Sequence, residues 1–303
     1  MSQKSDERMK YLLLFSTLIL SGAISAQTDT LTRYFNGSLQ SVGRTSGVYN
    51  GKAYQTAYGW EALIYNNAGV LIVKGGYKDK SLQTKNGLYT YYYPSGAVQV
   101  LGTMQNNVQE GCWRSWYASG KLKDSVFFSR GYKTGPSYSW FENGNPKYVG
   151  TFQNNQAAGD WTWYHENGNP STKEKYQGGK ITSLECFDST GKASGIQCGL
   201  ETEPSIKGRY GGIQKYIVDS LLYPAEALKK KIEGVVQIEF TVTKTGEVKD
   251  LHILSSPDKL LSDEVLRVIL SVPGWYPAIE HNRPIDYVVK MNVPFFKNME
   301  SDD

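Results

Sequence analysis

From Val236 to Thr243 apolar and polar residues alternate strictly, with Val236, Ile238, Phe240 and Val242 on one face and Gln237, Glu239, Thr241 and Thr243 on the other. A period of two marks a half-buried strand. The turn at Lys244-Thr245-Gly246-Glu247 folds it back onto a second apolar run, whose alternation slips between Val248 and Leu251 and so predicts a bulge. From Leu261 the period lengthens: Leu261, Val265, Val268, Ile269 and Val272 share one helix face. Ser262-Asp263-Glu264 is read as the cap and early negative charge of that helix, and Pro273-Gly274 as its stop. A third strand follows, with Ile285, Tyr287, Val289, Met291 and Val293 inward and Asp286, Val288, Lys290 and Asn292 outward. The predicted unit is a small α+β domain of order β-β-α-β, one helix layered on one sheet.

Upstream the pattern is a repeat. Gly87, Gly111, Gly135 and Gly159 recur every 24 residues, and Gly96, Gly120, Gly144 and Gly168 follow them at nine. Tyr92, Trp116, Trp140 and Tyr164 follow at five, and Met104, Phe128, Phe152 and Tyr176 at seventeen. Asn106-Asn107, Arg130-Gly131, Asn154-Asn155 and Gly178-Gly179 close each unit. An offset copy holds Gly59-Trp60, Tyr65, Gly69 and Tyr77, and a worn one Phe187 and Gly191. Each unit has two extended runs and two turns, with Gly or Asn where positive φ is needed. One hairpin cannot cover its aromatic side alone, whereas stacked hairpins bury it as a continuous ladder. The fold class expected is therefore mainly β: an array of stacked hairpins followed by the α+β unit.

The 22 tyrosines, 7 tryptophans and 31 glycines fit that reading, and a net charge of +4 spread along the chain gives no footprint for nucleic acid. Residues 1–26 combine Met9-Lys10, an apolar run from Tyr11 to Ala26 and small residues at its end. That run is shorter than a spanning helix wants, so a cleavable export signal is expected, with a retained inner-membrane anchor as the alternative. Residues 27–58 are read as irregular, 59–191 as the repeats, 192–208 as a linker able to let the halves move separately unless docked, and 298–303 as a tail. In an exported chain Cys186 and Cys198 either form a disulfide or remain two buried thiols. Cys112 occupies a variable repeat position and reads as structural.

Candidate chemistry is sparse. His165, His252 and His281 have no metal-binding spacing. His165 falls in an aromatic column with Tyr93, Tyr117 and Phe141 and reads as a packing residue, His252 as a surface one. Asp263-Glu264 is explained by the helix dipole. No nucleophile elbow or phosphate loop is present. The expectation is a protein that is not an enzyme and uses no cofactor.

Two resemblances sharpen this. The units Gly-x-Trp-x-x-Trp-Tyr-x-x-Gly-Lys and Gly-x-x-Tyr-x-Trp-Phe-x-Asn-Gly-Asn, beginning at Gly111 and Gly135, resemble MORN-type repeats, in particular their bacterial variant. The spaced residues Gly211-Gly212, Tyr223-Pro224, Ala227, Gly234-x-Val236, Phe240-x-Val242, Gly246-x-Val248, Trp275-x-Pro277-Ala278 and Pro294-x-Phe296 are similar to the C-terminal domain of TonB-type energy transducers, placing that domain at residues 209–297. The resemblance implies a periplasmic domain that grips a box peptide of an outer-membrane TonB-dependent transporter by accepting it as an added strand. Ile285, Asp286, Tyr287, Val288, Val289, Lys290, Met291 and Asn292 would then form the partner-binding edge. Inner-membrane motor proteins would be further partners if the chain stays anchored. Full transducers also carry a membrane helix and a Pro-rich spacer, neither of them clear here. A non-enzymatic envelope scaffold, with the array as its interaction surface, is the competing expectation.

Overall fold

A computed structural model describes residues 30–194, 198–199, 201–208 and 212–296. The export signal or anchor expected at 1–26 lies outside the described residues, as does the 298–303 tail. The array strands are Leu31–Phe35 (β1), Ser41–Val42 (β2), Tyr49–Thr56 (β3), Gly59–Tyr65 (β4), Leu71–Tyr77 (β5), Lys85–Tyr92 (β6) and Val98–Gln105 (β7). They continue as Val108–Trp116 (β8), Leu122–Ser129 (β9), Tyr132–Trp140 (β10), Pro146–Gln153 (β11), Gln156–Tyr164 (β12), Pro170–Gln177 (β13) and Lys180–Cys186 (β14). From β3 to β14 each strand pairs with the next in sequence; β1 pairs with β3 and carries β2 on its far side. Of the segment 27–58 read as irregular, the described residues 30–58 are not: strands β1, β2 and β3 extend the sheet. Their alternation was hidden by Gly43, Gly47 and Gly51, the last lying close under the Phe35 ring.

The repeat's turn residues do what their chemistry requires. Asn106-Asn107 (φ 50° and 71°) and Asn154-Asn155 (φ 50° and 68°) are left-handed at both central positions, the backbone of a two-residue hairpin turn. Neighbouring turns are tied together: Lys85 N–H and Lys133 N–H each donate to the side-chain oxygen of the turn asparagine 22 residues on, at 2.7 Å. A second ladder runs along the aromatic column. The Tyr93 hydroxyl donates to Trp116 O (2.8 Å) and the Tyr117 hydroxyl to Trp140 O (2.7 Å).

The C-terminal domain contains helices Gly212–Ser220 (α1) and Ala225–Lys230 (α2) ahead of its sheet. Strands Gly234–Val242 (β17) and Val248–Ser255 (β18), helix Lys259–Leu270 (α3) and strand Tyr287–Phe295 (β22) form the expected unit. Val236, Ile238, Phe240 and Val242 are fully buried beneath Leu261, Val265, Val268 and Ile269. Burying each such side chain contributes about 1.5–3 kcal/mol. The helix starts earlier than Ser262, because the Asp258 carboxylate accepts from Leu260 N–H (2.8 Å) and caps it. Ser262 is instead a buried interior residue, and Glu264 accepts from Leu222 N–H and pairs with Arg267. The predicted bulge falls at Asp250, whose φ is 51°.

The segment read as a linker is docked. Glu201–Thr202 (β15) and Ser205–Ile206 (β16) pair with strands Ala278–Glu280 (β20) and Trp275–Tyr276 (β19) of the domain. Cys186 and Cys198 are joined in a disulfide, their Cα atoms 5.8 Å apart. Strand β20 forms a short hairpin with Arg283–Ile285 (β21), an element that the period-two reading had merged into the last strand.

Candidate functional site

The C-terminal sheet has the order β18-β17-β22, so β18 and β22 are its two edges among the described residues. They differ. Against β17, β18 shifts register twice, at the positions of Leu254 and Asp250. Bulges of this kind twist an edge and blunt it against further pairing. Strand β22 pairs with β17 over nine residues, Tyr287 to Phe295, with no shift.

Which backbone groups of β22 face outward follows from the ladder. Thr243 N–H bonds Glu247 O in the β17-β18 turn, so Thr243 directs its groups toward β18. Antiparallel alternation then turns Val242, Phe240, Ile238 and Val236 toward β22, hydrogen-bonded to Tyr287, Val289, Met291 and Val293. The N–H and C=O groups of Val288, Lys290 and Asn292 are left pointing to the open side. Pro294, which has no N–H to give, falls in the same outward set, as a proline in an edge strand must. The side chains of Val288, Lys290 and Asn292 are exposed, while Val289 and Met291 are half-buried on the core; Tyr287 is half-buried, and its hydroxyl donates to Glu203. Lys290 reaches Glu239 on β17 at 2.6 Å.

Two residues assigned to this edge from sequence sit elsewhere. Ile285 ends β21, paired to Ala278. Asp286 lies between strands, and its carboxylate accepts from Lys244 N–H at 2.6 Å. The chain turns there because β21 and β22 belong to different sheets.

The edge is held in place by a contact that the sequence reading missed. The β20-β21 turn, His281-Asn282, is left-handed at both residues (φ 48° and 59°) and inserts into the last repeats. The His281 ring stacks on Trp163, centroids 3.6 Å apart and 11° from parallel. Its Nδ1 meets Glu174 Oε1 at 2.7 Å. Glu174 is buried among Thr172, Tyr176 and Trp163, each of which donates to its carboxylate. Burial opposes its ionisation, but the bonds from His281, Thr172 and Tyr176 outweigh that and hold its pKa below the usual glutamate value. Asn282 Nδ2 donates to Phe187 O at 3.0 Å.

Arg283, almost fully buried, completes the contact. Its guanidinium lies over Phe141 and Trp163 and donates to Tyr164 O (3.3 Å) and to Glu280. Desolvation lowers its pKa, and the carboxylates of Glu280 and Glu174 offset part of that. In the ladder of Tyr93 and Tyr117 the next donor is missing, because position 141 is phenylalanine. Arg283 supplies the bond to Tyr164 O in its place. The signals for this contact were present as breaks in the period: Phe141 and His165 in a tyrosine column, and Glu174 where Gly102, Val126 and Gly150 stand in earlier units. His165 packs as expected, its Nε2 3.1 Å from Phe187 O, and His252 is exposed.

With this geometry in hand, comparison with known families agrees with both halves. Residues 219–296 match the family model described as Gram-negative bacterial TonB protein C-terminal. Residues 85–106, 109–129, 133–154 and 158–177 match the MORN repeat variant. Both are non-enzymatic families. The chain is therefore a MORN-type hairpin array joined to a TonB-like C-terminal domain, mostly β in structure. No curated protein matches it. Among the described residues no helix is long and apolar enough to cross a membrane.

Proposed function

We propose that this is a periplasmic, TonB-like envelope protein that docks an outer-membrane transporter by accepting a segment of it as a strand on β22. The observation that carries the reading is the contrast between edges: nine unshifted pairs on β22, with outward groups at Val288, Lys290 and Asn292, against a twice-bulged β18. Main-chain bonds would supply affinity, and the exposed side chains at 288, 290 and 292 would flank the partner. Val289 and Met291 would hold the strand to its core. Val288→Pro removes an outward N–H and no ladder bond. It is expected to weaken binding of a transporter box peptide at least about tenfold while leaving the melting temperature nearly unchanged. Val289→Pro, which removes a ladder donor, should destabilise the domain instead. Unchanged peptide affinity in Val288→Pro, read by titration calorimetry, removes β22 as the docking edge.

Coupling to inner-membrane motor proteins belongs to this reading only where Tyr11 to Ala26 is kept as an anchor, which N-terminal sequencing of the fractionated protein decides. A second reading makes the array an interaction surface. It is favoured by a cavity of about 670 Å³ lined by Tyr91, Val100, Met104, Val108 and Trp113. Transporter-dependent uptake that survives deletion of the array would separate the array's role from the docking one.

A further inference from the structure

Between the C-terminal domain and the array lies a cleft of about 710 Å³, walled by Asn282 to Asp286 and Lys244 on one side and by Phe141, Lys147, Asn167 and Ser189 on the other. It opens at the start of β22: Ile285 and Asp286, the residues immediately before Tyr287, line it. Val288, the first residue of the strand with outward groups, is two positions from its mouth. A strand paired along β22 therefore leads into the cleft at that end. The walls are set in advance, because the His281-Asn282-Arg283 turn fixes the domain against the array.

The charges in the cleft are unequal in their commitments. Glu166 is engaged by Lys244, and Asp286 by the Lys244 amide. Asp188 accepts from Thr190 and Lys192 within its own turn, and Arg283 is satisfied by Glu280 and Tyr164. Lys147, half-buried on the array wall, has no carboxylate within ion-pair distance among the described residues. An ammonium without a counter-charge favours an incoming carboxylate.

We propose that the partner segment paired with β22 continues past Tyr287 into this cleft and places an acidic residue against Lys147, so that the repeat array reads the flank of the same peptide that the sheet edge holds. This rests on the β22 reading, and its test keeps the two apart. Synthetic peptides from the periplasmic segments of outer-membrane transporters are titrated onto the full chain as a core, as the core lengthened at either end by about six acidic-containing residues (roughly 20 Å of extended chain), and as the same extension with its acids replaced by amides. The acidic extension at one end is expected to tighten binding about fivefold over the core, and the amide extension to give little of that gain. Lys147→Glu should abolish the gain while leaving the affinity for the core peptide as it is in the unmodified chain. An acidic extension that adds nothing at either end, or a gain that survives Lys147→Glu, overturns the cleft proposal while the edge stands. A chain that binds no core peptide removes the edge reading and this one with it.

Discussion

In the array, Trp113 and Trp161 lay their indoles across Gly102 and Gly150 of the preceding strand, and each donates its ring N–H to a strand carbonyl, Thr103 O or Thr151 O, at 3.1 Å. A Cβ on either glycine would stand 2.0 or 2.1 Å from ring atoms. In the C-terminal domain the apolar face of β17 is covered by a separate layer, helix α3, and Trp275 and Phe295 are buried in the same core. The array thus covers its sheet with its own side chains, repeating one local solution. The domain covers its sheet with a distant element and leaves β22 at an edge. The first arrangement leaves its strands little room for variation in size opposite the rings. The second leaves one backbone row of β22 without a neighbouring strand among the described residues, because the core does not depend on what lies beyond the last strand.

This difference decides how much was legible beforehand. A period of 24 with Gly and Asn at fixed offsets announces hairpins, and alternation around Phe240 followed by helical spacing from Leu261 announces a layered domain. The contact between the two is written only as departures from period. Glu174 interrupts a column of small and apolar residues, and its partner His281 is 107 residues away. No local rule links them. The β20-β21 hairpin was lost for a related reason: three-residue strands are too short for alternation to separate from the strand that follows.

Three measurements press on the comparison. The largest effect is expected from Trp275→Ala, which removes a buried ring packed against Phe240 and should cost the domain about 3–5 kcal/mol. If the two coverings are independent, calorimetry will show the domain's transition fall while the array's stays. A common drop would mean that the docked contact fuses them into one cooperative unit.

Next is Glu174→Gln, which weakens a buried carboxylate's bonds to His281, Thr172 and Tyr176 and should cost about 2–3 kcal/mol. It also has a pH signature. The folded pKa of Glu174 lies below its unfolded value, so its stabilisation is fully present above the ordinary glutamate range and is lost as pH falls through the lowered folded value. Denaturation midpoints measured from neutral pH downward should decline less steeply for Glu174→Gln than for the unmodified chain. Equal slopes would mean that other carboxylates govern acid unfolding.

The smallest effect is expected for Lys290→Ala. Its bond to Glu239 is exposed, and stability should change by less than about 1 kcal/mol, measured by urea titration. A larger loss would show that β22 depends on its solvent face, unlike an edge supported from beneath.

The uniform repeat has one more consequence. Every unit adds two strands, roughly 10 Å of sheet, and returns the chain to the same orientation. Phe141, Trp163 and Glu174, the residues that receive the C-terminal domain, all lie in the last two full units. Inserting or excising a whole unit nearer Leu31 would therefore act as a ruler adjustment, changing how far that end stands from the domain without touching the mount itself.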